Sequence, residues 1–260
     1  MRGRQTGDGT SSGFLSPAPP RVIAHRGLAL EAPENTKLAF LKALSIGVTH
    51  LETDVHASAD GVAVVSHDPD LVRVAGREVR VDQLTMAELR RIDLGEGQGF
   101  SSLAEVLDAF PDARFNIDVK VADAVAPTIE AIREARAVDR VLIASFDNRR
   151  RLAVLDALPG AATSASSSGI TKALVALRVG SPSLVARALG EVDAVQIPVR
   201  YGALPLVTAR NVRLLHAAGV EVHVWTINEP AEMGRLLDLG VDGIVTDRAD
   251  LALDVLRSRL

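Results

Sequence analysis

The feature that most constrains the fold is a regular alternation of short apolar strands with helices along the chain. The apolar runs lack the polar alternation of a half-exposed strand, which indicates strands covered on both faces, as in a parallel sheet. Counted from Val22, eight principal strands are each followed by a helix, and this pattern predicts an α/β fold, a (β/α)8 TIM barrel. The predicted principal strands cover residues 22–25, 50–57, 114–120, 141–147, 161–167, 194–200, 221–227 and 243–247.

The predicted barrel accounts for a single domain, residues 21–260, and 47% hydrophobic residues are enough for its core. Residues 1–20 are rich in Gly, Pro, Ser and Thr and show no periodic apolar face, so we expect a flexible tail. Residues 70–101 interrupt the strand rhythm with a short helix and spaced glycines. We interpret them as a small insertion that lies over one barrel loop, above the site.

Charge and cysteine usage exclude several classes of function. The net charge is −4 with both signs spread along the chain, and no basic stripe with interleaved aromatic residues is present, so we expect no nucleic-acid partner. The chain has no cysteine, which excludes disulfides, thiol catalysis and cysteine-type zinc sites. We find no signal peptide and no apolar run near the ~20 residues of a membrane span, and therefore expect a cytoplasmic protein without stable membrane insertion. The oligomeric state stays open.

The first strand ends on His25-Arg26-Gly27. Functional residues of such barrels lie at the carboxyl ends of the strands. A histidine titrates near neutral pH, an arginine holds a fixed charge that suits a phosphate, and a glycine lets the chain turn tightly. A capping histidine and a surface arginine explain these residues about equally well when they are taken alone.

The second strand, His50–Ala57, places Glu52, Asp54 and His56 on one face. Two carboxylates on a buried strand repel each other unless a positive charge lies between them. A hard divalent cation such as Mg²⁺ or Ca²⁺ supplies that charge, and the alternative is a salt bridge to arginine or lysine. His56 on its own is expected to be a packed or hydrogen-bonded residue.

Further polar residues also lie at or near the ends of predicted strands. A strand-like run over residues 62–66 ends on His67-Asp68, for which a solvated turn is the alternative, and Asp118 and Lys120 share one face of the strand at 114–120. Eight residues that could take part in binding or catalysis lie at or near strand ends, and they are His25, Glu52, Asp54, His67, Asp118, Lys120, Trp225 and Asp247. Core residues without a common role would be scattered along the strands instead.

The ordered motifs resemble those of the glycerophosphodiester phosphodiesterase family and run from residue 22 to residue 250. His-Arg-Gly alone is a weak signal, but the whole set in this order is specific. The motifs are His25-Arg26-Gly27, Ala32-Pro33-Glu34-Asn35-Thr36, Glu52-Thr53-Asp54-Val55, Asp60-Gly61, His67-Asp68, Asn116-Ile117-Asp118-Val119-Lys120, Val224-Trp225-Thr226-Ile227-Asn228 and Gly243-Ile244-Val245-Thr246-Asp247.

The resemblance implies metal-dependent hydrolysis of a small-molecule glycerophosphodiester to sn-glycerol 3-phosphate and an alcohol. It assigns His25 and His67 as the general acid/base pair. It assigns one divalent cation, Ca²⁺ or Mg²⁺, to the carboxylates of Glu52, Asp54 and Asp118. It also implies that Arg26 and Lys120 contact phosphate, that Asn35 forms a hydrogen bond near the site, and that Trp225 lines the glycerol pocket. The family often has glutamate where Asp118 stands, so the shorter side chain could change the metal geometry.

Two other functions are compatible with the same motifs. The first is a related barrel phosphodiesterase of the lysophospholipase D type, and the second is a barrel that binds glycerophosphodiesters without turnover. The presence of both His25 and His67 favours an enzyme over the binding protein. The preferred alcohol head group, the choice between Ca²⁺ and Mg²⁺, and direct water attack against a cyclic phosphate intermediate all stay open.

Overall fold

Eight parallel strands form the inner wall of the protein in the computed structural model, which describes residues 13–259. We number them β1 to β8 in chain order. Along the sheet they follow the order β5-β4-β3-β2-β1-β8-β7-β6, and a bridge between Ser164 and Ala194 brings the two ends together into a nearly closed barrel. The predicted TIM barrel is thus confirmed. The strands are β1 Arg21–His25, β2 His50–Ala57, β3 Arg114–Val119, β4 Val141–Ala144, β5 Ala162–Thr163, β6 Ala194–Ile197, β7 Glu221–Val224 and β8 Gly243–Thr246.

Helices follow every barrel strand and cover the outside of the barrel. Side chains at helix starts accept hydrogen bonds from backbone N–H groups that have no partner within the helix, as Ser102 and Thr208 do, and Pro182 and Pro230 occupy first turns. These caps define where each loop at the carboxyl end of the barrel stops. The covering helices are Lys37–Ser45, Leu103–Ala109, Val125–Glu134, Asn148–Ala157, Ser167–Val179, Pro182–Leu189, Ala209–Ala217, Pro230–Asp238 and Ala249–Arg257.

The strand predicted at residues 62–66 is shorter, Ala63–Val65, and it is antiparallel to β2. It therefore extends the sheet beyond the barrel rim and turns the chain back toward the barrel. The N–H of Ser66 donates to the backbone oxygen of Asp54 over 3.0 Å. His67 consequently reaches the site by descending alongside β2, and not at the carboxyl end of a barrel strand.

The insertion at residues 70–101 forms a small structure with its own core. It contains the paired strands Asp70–Leu71 and Arg77–Arg80 and the short helices Val72–Ala75 and Met86–Leu89. Its apolar side chains pack with Val64 of the antiparallel strand in a cluster separate from the barrel core. The buried members of this second core are Val64, Leu71, Val81, Met86, Leu89, Ile92 and Phe100.

The expectation of a flexible tail at residues 1–20 is wrong for residues 13–20, and residues 1–12 lie outside the described part of the chain. The ring of Phe14 is completely buried and packs on Leu142 and Ala162, and its centroid lies 5.0 Å from that of the His50 ring. This one aromatic side chain closes the amino-terminal end of the barrel. The Gly, Pro, Ser and Thr content of the segment, on which the expected flexibility was based, does not reveal such a contact.

Backbone carbonyls of this segment are bound by side chains of the barrel. His50 Nε2 lies 2.7 Å from the oxygen of Phe14, Arg114 Nε donates to Gly13 over 2.9 Å, and Arg21 Nε donates to Pro17 over 2.9 Å. The segment is therefore part of the folded domain. Within residues 13–259, no helix combines the length and the apolar character needed to cross a membrane.

Candidate active site

A cavity of about 720 Å³ opens at the carboxyl ends of the barrel strands. One side of the cavity is polar and the other is apolar. The polar side is lined by His25, Arg26, Glu52, Asp54, His67, Asn116, Asp118 and Lys120, and the apolar side by Phe146, Ile170, Leu174, Ile197, Leu206 and Trp225. The site residues implied by the family resemblance therefore line one cavity, except Asn35, which lies behind Asp54. Asp247, also noted near a strand end, contacts His25 and is not a lining residue.

Neighbouring strands bring the carboxylates together. In the register of β2 and β3, Asp54 lies opposite Asp118 and Glu52 lies opposite Asn116. Lys120 Nζ is 2.7 Å from Asp54 Oδ1 and 2.6 Å from Asp118 Oδ2, so the ammonium group lies between two carboxylates. Of the two carboxylates on the second strand, Asp54 therefore has the salt bridge to lysine that was the alternative to a metal ion.

The pKa values of the three central groups follow from this arrangement. Burial and the adjacent Asp54 carboxylate raise the pKa of Glu52 well above its ordinary value. Burial also acts to raise the pKa of Asp54, but the charge and hydrogen bond of Lys120 outweigh it and the pKa is lowered. For Lys120, burial opposes the charged form, yet the carboxylates of Asp54 and Asp118 keep the pKa above its ordinary value. The cluster therefore holds charge on Asp54 and Lys120 and favours a proton on Glu52.

The loop after β1 is fastened to the carboxylates by its backbone. The N–H of Arg26 lies 3.1 Å from the backbone oxygen and 3.2 Å from the Oε2 of Glu52, and the N–H of Asn35 donates to the oxygen of Arg26 over 2.9 Å. Arg26 and Asn35 both have a positive φ, 55° and 56°, which is uncommon for residues with a side chain. Strain of this kind persists where the surroundings hold it, and here it aims both side chains at Asp54.

Asn35 and Arg26 approach Asp54 from behind and from the side. Asn35 Nδ2 donates to Asp54 Oδ2 over 3.2 Å, and Thr53 Oγ1 donates to Asn35 Oδ1 over 2.8 Å, which sets the amide orientation. Arg26 Nε lies 3.2 Å from the same Asp54 oxygen, within ion-pair distance but outside hydrogen-bond geometry. Gly27 has no room for a side chain, since a Cβ there would lie 2.6 Å from the backbone of Ala39.

Each of the two site histidines binds a carboxylate through Nδ1. His25 Nδ1 is 2.7 Å from Asp247 Oδ1, and His67 Nδ1 is 2.7 Å from Asp68 Oδ1. We infer that Nδ1 carries the proton in both neutral rings, so that Nε2 is the nitrogen left for proton transfer. His25 Nε2 lies 3.9 Å from Glu52 Oε2, which places it beside the carboxylate cluster.

Further polar groups hold these histidines in place. Asn228 Nδ2 donates to Asp247 Oδ2 over 2.8 Å, and the hydrogen bond from His25 lowers the pKa of Asp247. His56 is buried, and its Nε2 lies 3.1 Å from the backbone oxygen of His67. The expectation that His56 is a hydrogen-bonded residue is confirmed, and burial lowers its pKa.

The donor set is compatible with a hard cation. Among residues 13–259, no three histidine, aspartate or glutamate side chains are already grouped as ligands of one metal ion, and Lys120 lies where they converge. Two oxygens there, Asn116 Oδ1 and Asp118 Oδ1, are buried and have no hydrogen-bond partner in the described part of the chain. Carboxylate and amide oxygens are the ligands that Ca²⁺ and Mg²⁺ prefer, so the residues present fit such an ion chemically.

Sequence reasoning missed the outer partners of the site. Glu34 appears in the sequence analysis only as a member of a motif, without a role, yet Arg26 and Arg73 both donate to it, and Arg73 also donates to Asp68. Asp68 had a signal, because it directly follows His67. The pairing of Glu34 with Arg73 joins residues 39 positions apart and has no local signal.

Two lining residues beyond β4 and within β6 were also missed. Phe146 stacks edge-on against Trp225 with ring centroids 6.4 Å apart, and Lys120 Nζ lies 6.0 Å from the Phe146 centroid. Gln196 accepts from Ser164 over 3.3 Å, while its buried Nε2, at the cavity wall, has no hydrogen-bond partner among the described residues. Both residues lie in or just after a barrel strand, near its carboxyl end, and this position is the signal that could have identified them.

The insertion at 70–101 supplies no lining residue, so its position over the site stays a prediction.

Comparison with known proteins agrees with this geometry. The chain matches the glycerophosphoryl diester phosphodiesterase family over residues 25–251. It is 44% identical to the probable glycerophosphodiester phosphodiesterase 2 of Mycobacterium tuberculosis, over 92% of this chain and 91% of that protein. It is 28% identical to human lysophospholipase D GDPD1, over 90% of this chain and 84% of that protein.

A solved structure shows the same architecture. The phosphodiesterase of Oleispira antarctica in complex with the product sn-glycerol-3-phosphate superposes with a TM-score of 0.77 and is 25% identical in sequence. The match covers 92% of this chain and 97% of the other.

Proposed function

The chain belongs to the glycerophosphoryl diester phosphodiesterase family, and on this premise we propose that it hydrolyses glycerophosphodiesters to sn-glycerol 3-phosphate and an alcohol. The observation that carries the proposal is the pair of carboxylate-bound histidines, His25 and His67, on the wall of one cavity with the Asp54–Lys120–Asp118 cluster. The phosphodiesterase bound to sn-glycerol-3-phosphate that resembles this chain supports the choice of product.

The chemistry assigns a role to each group. A phosphodiester is a stable anion, so its hydrolysis needs neutralised charge, an activated nucleophile and a protonated leaving oxygen. Arg26 and Lys120 supply positive charge to the phosphate. One histidine accepts, through Nε2, the proton of the attacking oxygen, which belongs to water or, if a cyclic phosphate forms first, to a substrate hydroxyl and then to water. The other donates a proton to the oxygen of the departing alcohol. Asp247 and Asp68 hold the two imidazole rings in the required orientation.

We further propose that Glu52, Asp54 and Asp118 hold one divalent cation, Ca²⁺ or Mg²⁺, when it is available. The buried Asp118 oxygen without a partner and the mutual repulsion of Glu52 and Asp54 support this assignment. Such an ion supplies additional positive charge to the phosphate and relieves the repulsion between the carboxylates. Lys120 Nζ lies between Asp54 and Asp118, so a bound cation would share these carboxylates with the ammonium group.

The test is direct measurement of product. The purified protein is incubated with glycerophosphocholine and with glycerophosphoethanolamine, in EDTA and then with excess Ca²⁺ or Mg²⁺, and sn-glycerol 3-phosphate is quantified. We expect product only with the metal, and product formation slower on the order of 10²–10⁴-fold from a His25→Ala variant. Binding of either diester without product under every condition would establish the non-catalytic alternative.

The apolar side of the cavity supports a second candidate, lysophospholipase D activity. Ile170, Leu174, Ile197 and Leu206 form a wall that a simple choline or ethanolamine alcohol does not need, and one relative is named lysophospholipase D. Comparing lysophosphatidylcholine with glycerophosphocholine tests this activity. If it is present, Leu174→Gln should raise KM for the lysolipid selectively, whereas Leu184→Gln, a surface change outside the cavity, should not.

A further inference from the structure

Arg73 lies in the short helix Val72–Ala75 of the insertion and is not among the residues that line the cavity. Its guanidinium uses three nitrogens on two carboxylates. NH1 and NH2 donate to the two oxygens of Glu34 over 2.9 and 2.6 Å, and Nε donates to Asp68 Oδ2 over 2.6 Å. One planar group therefore joins the loop after β1 to the segment after the antiparallel strand.

Each of these carboxylates has a second partner in the proposed site. Glu34 Oε1 also accepts from Arg26 NH1 over 3.0 Å, and Asp68 Oδ1 binds His67 Nδ1 over 2.7 Å. Arg73 is thus connected through Glu34 to Arg26, which is proposed to contact phosphate. Through Asp68 it is connected to His67, which is proposed to transfer a proton.

The geometry differs from that of an ordinary surface ion pair. Exposed single pairs contribute little, but a two-pronged guanidinium–carboxylate contact within a network of charges is more rigid. Glu34 and Asp68 are about three-quarters buried, with side-chain exposures of 24% and 22%. Burial acts to raise both pKa values, yet the arginines and His67 bring them below their ordinary values, so both groups stay ionised.

We propose that Arg73 is a positioning residue that orients His67 through Asp68 and Arg26 through Glu34. This inference rests on the proposed function, because it concerns how that site is aligned. It gives the insertion a part in turnover without contact with the substrate. The alternative is a purely mechanical role, in which Arg73 only attaches the insertion to the barrel.

The connection through Asp68 and the connection through Glu34 should affect different kinetic quantities. Asp68→Asn disturbs the ring of His67 and should lower kcat, with little effect on the binding of sn-glycerol 3-phosphate. Glu34→Gln loosens Arg26 and should weaken that binding, because the phosphate of the probe meets the arginine. Arg73→Ala should do both.

The experiment compares Arg73→Ala and Arg73→Lys with Arg80→Ala. Arg80 is a matched control, since it lies in the same insertion, is equally exposed (50% against 49%) and, among the described residues, forms its ion pair with Asp82, away from the site. For each protein we would measure kcat with glycerophosphocholine, the Kd of sn-glycerol 3-phosphate by calorimetry, and the thermal unfolding midpoint. Removing a residue that orients a functional side chain typically lowers activity on the order of 10-fold to 100-fold. We expect a loss of kcat of this size for Arg73→Ala.

Two further results distinguish positioning from attachment. Free guanidinium at millimolar concentration should restore part of the activity of Arg73→Ala and none of that of His67→Ala. Arg73→Lys keeps the charge but not the planar fork, so it should keep the unfolding midpoint and still lose kcat.

The inference is overturned if Arg73→Ala matches Arg80→Ala in both kcat and Kd, or if Arg73→Lys is fully active. Failure of the proposed function looks different, because the unmodified protein and Arg80→Ala would then both lack activity. In that case, the Kd comparison between Arg73→Ala and Arg80→Ala still tests the alignment of Arg26.

Discussion

The histidines of this chain are distinguished by their partners. His25 and His67 each bind a carboxylate through Nδ1, whereas His50 and His56 bind backbone carbonyls in buried surroundings. Burial lowers the pKa of His50 to about 4, so this ring is neutral near neutral pH. His216 and His223 also contact carboxylates, of Asp242 and Glu221, but through Nε2 and away from the cavity wall. At residue scale, a carboxylate on Nδ1 together with a place on the cavity wall marks the groups suited to proton transfer.

A first prediction separates proton transfer from metal binding. His25→Ala leaves Glu52, Asp54 and Asp118 intact, so a divalent cation should still bind while kcat falls on the order of 10²–10⁴-fold, the usual effect of a lost acid or base. Asp54→Asn should weaken cation binding, and excess metal should recover part of its activity. Calorimetric titration of both variants with Ca²⁺ and Mg²⁺, beside activity at several metal concentrations, checks this. Loss of metal binding in His25→Ala together with normal binding in Asp54→Asn would make His25 a ligand.

A second prediction concerns stability in EDTA. The raised pKa of Glu52 means that the folded protein binds its proton more tightly than the unfolded chain. The stability contributed by that proton is complete below the ordinary value of 4.5 and is lost as the pH rises through the raised pKa. Glu52→Gln should therefore raise the unfolding midpoint at pH 8 and have a smaller effect near pH 4.5.

Asp54→Asn is the matched comparison, because its pKa is shifted the other way. The Asp54 charge stabilises the folded state above the ordinary value of 3.8, through Lys120, and this stability is lost as the pH falls through the lowered pKa. Asp54→Asn should thus lower the midpoint at pH 8, since it leaves Lys120 with one carboxylate less. Equal effects of the two variants in urea or thermal unfolding would refute the opposite signs assigned here.

At the scale of elements, the segment at residues 13–20 acts as the closure of the barrel's amino-terminal end. Phe14 is completely buried against β4 and β5, and three side chains of the barrel bind the segment's carbonyls. Truncation to Pro20 should therefore destabilise the domain. Phe14→Ala alone should cost about 3–5 kcal/mol, the usual range for a buried phenylalanine.

Urea unfolding of Phe14→Ala and of two truncated variants tests whether this segment stabilises the barrel. A variant that begins at Gly13 keeps every described contact and serves as the control for one that begins at Pro20. Activity per folded molecule should be unchanged, since the segment lies at the opposite end of the barrel from the cavity. Equal unfolding midpoints for the two truncations would show that the contacts of Phe14 contribute nothing.

The antiparallel strand Ala63–Val65 is the second element that matters for function. By turning back along β2 it brings His67 to the level of Asp54, whereas His25 reaches the cavity directly at the end of β1. Two different chain paths thus deliver the two histidines to one cavity.

At the scale of the whole molecule, the site should couple cation binding to folding. The folded barrel brings three carboxylates within reach of one ion, and the unfolded chain does not, so the ion stabilises by mass action. A cation at about 100 times its Kd should add about 2.7 kcal/mol to the free energy of unfolding. Thermal unfolding with increasing Ca²⁺ or Mg²⁺ should show a rising midpoint, and Asp54→Asn should need more metal. A midpoint independent of both ions would contradict the proposed ligand set.

The sequence by itself determined the alternation of strands and helices, the barrel, and which polar residues stand near strand ends. These signals are local, because strand runs, caps and turns depend on residues a few positions apart. His25, Glu52, Asp54 and Asp118 were predictable for this reason, since strand direction carries each of them toward the same end of the barrel.

Only the tertiary structure decided which groups meet. The place of Lys120 between Asp54 and Asp118, the contact of Arg73 with Glu34, and the burial of Phe14 each join chain segments whose approach depends on packing. No periodicity encodes such contacts, because a side chain's partner across the fold is set by strand register and loop path. Asp54, one of the two carboxylates that suggest a metal ion in the sequence, is therefore found in the folded chain with Lys120 beside it.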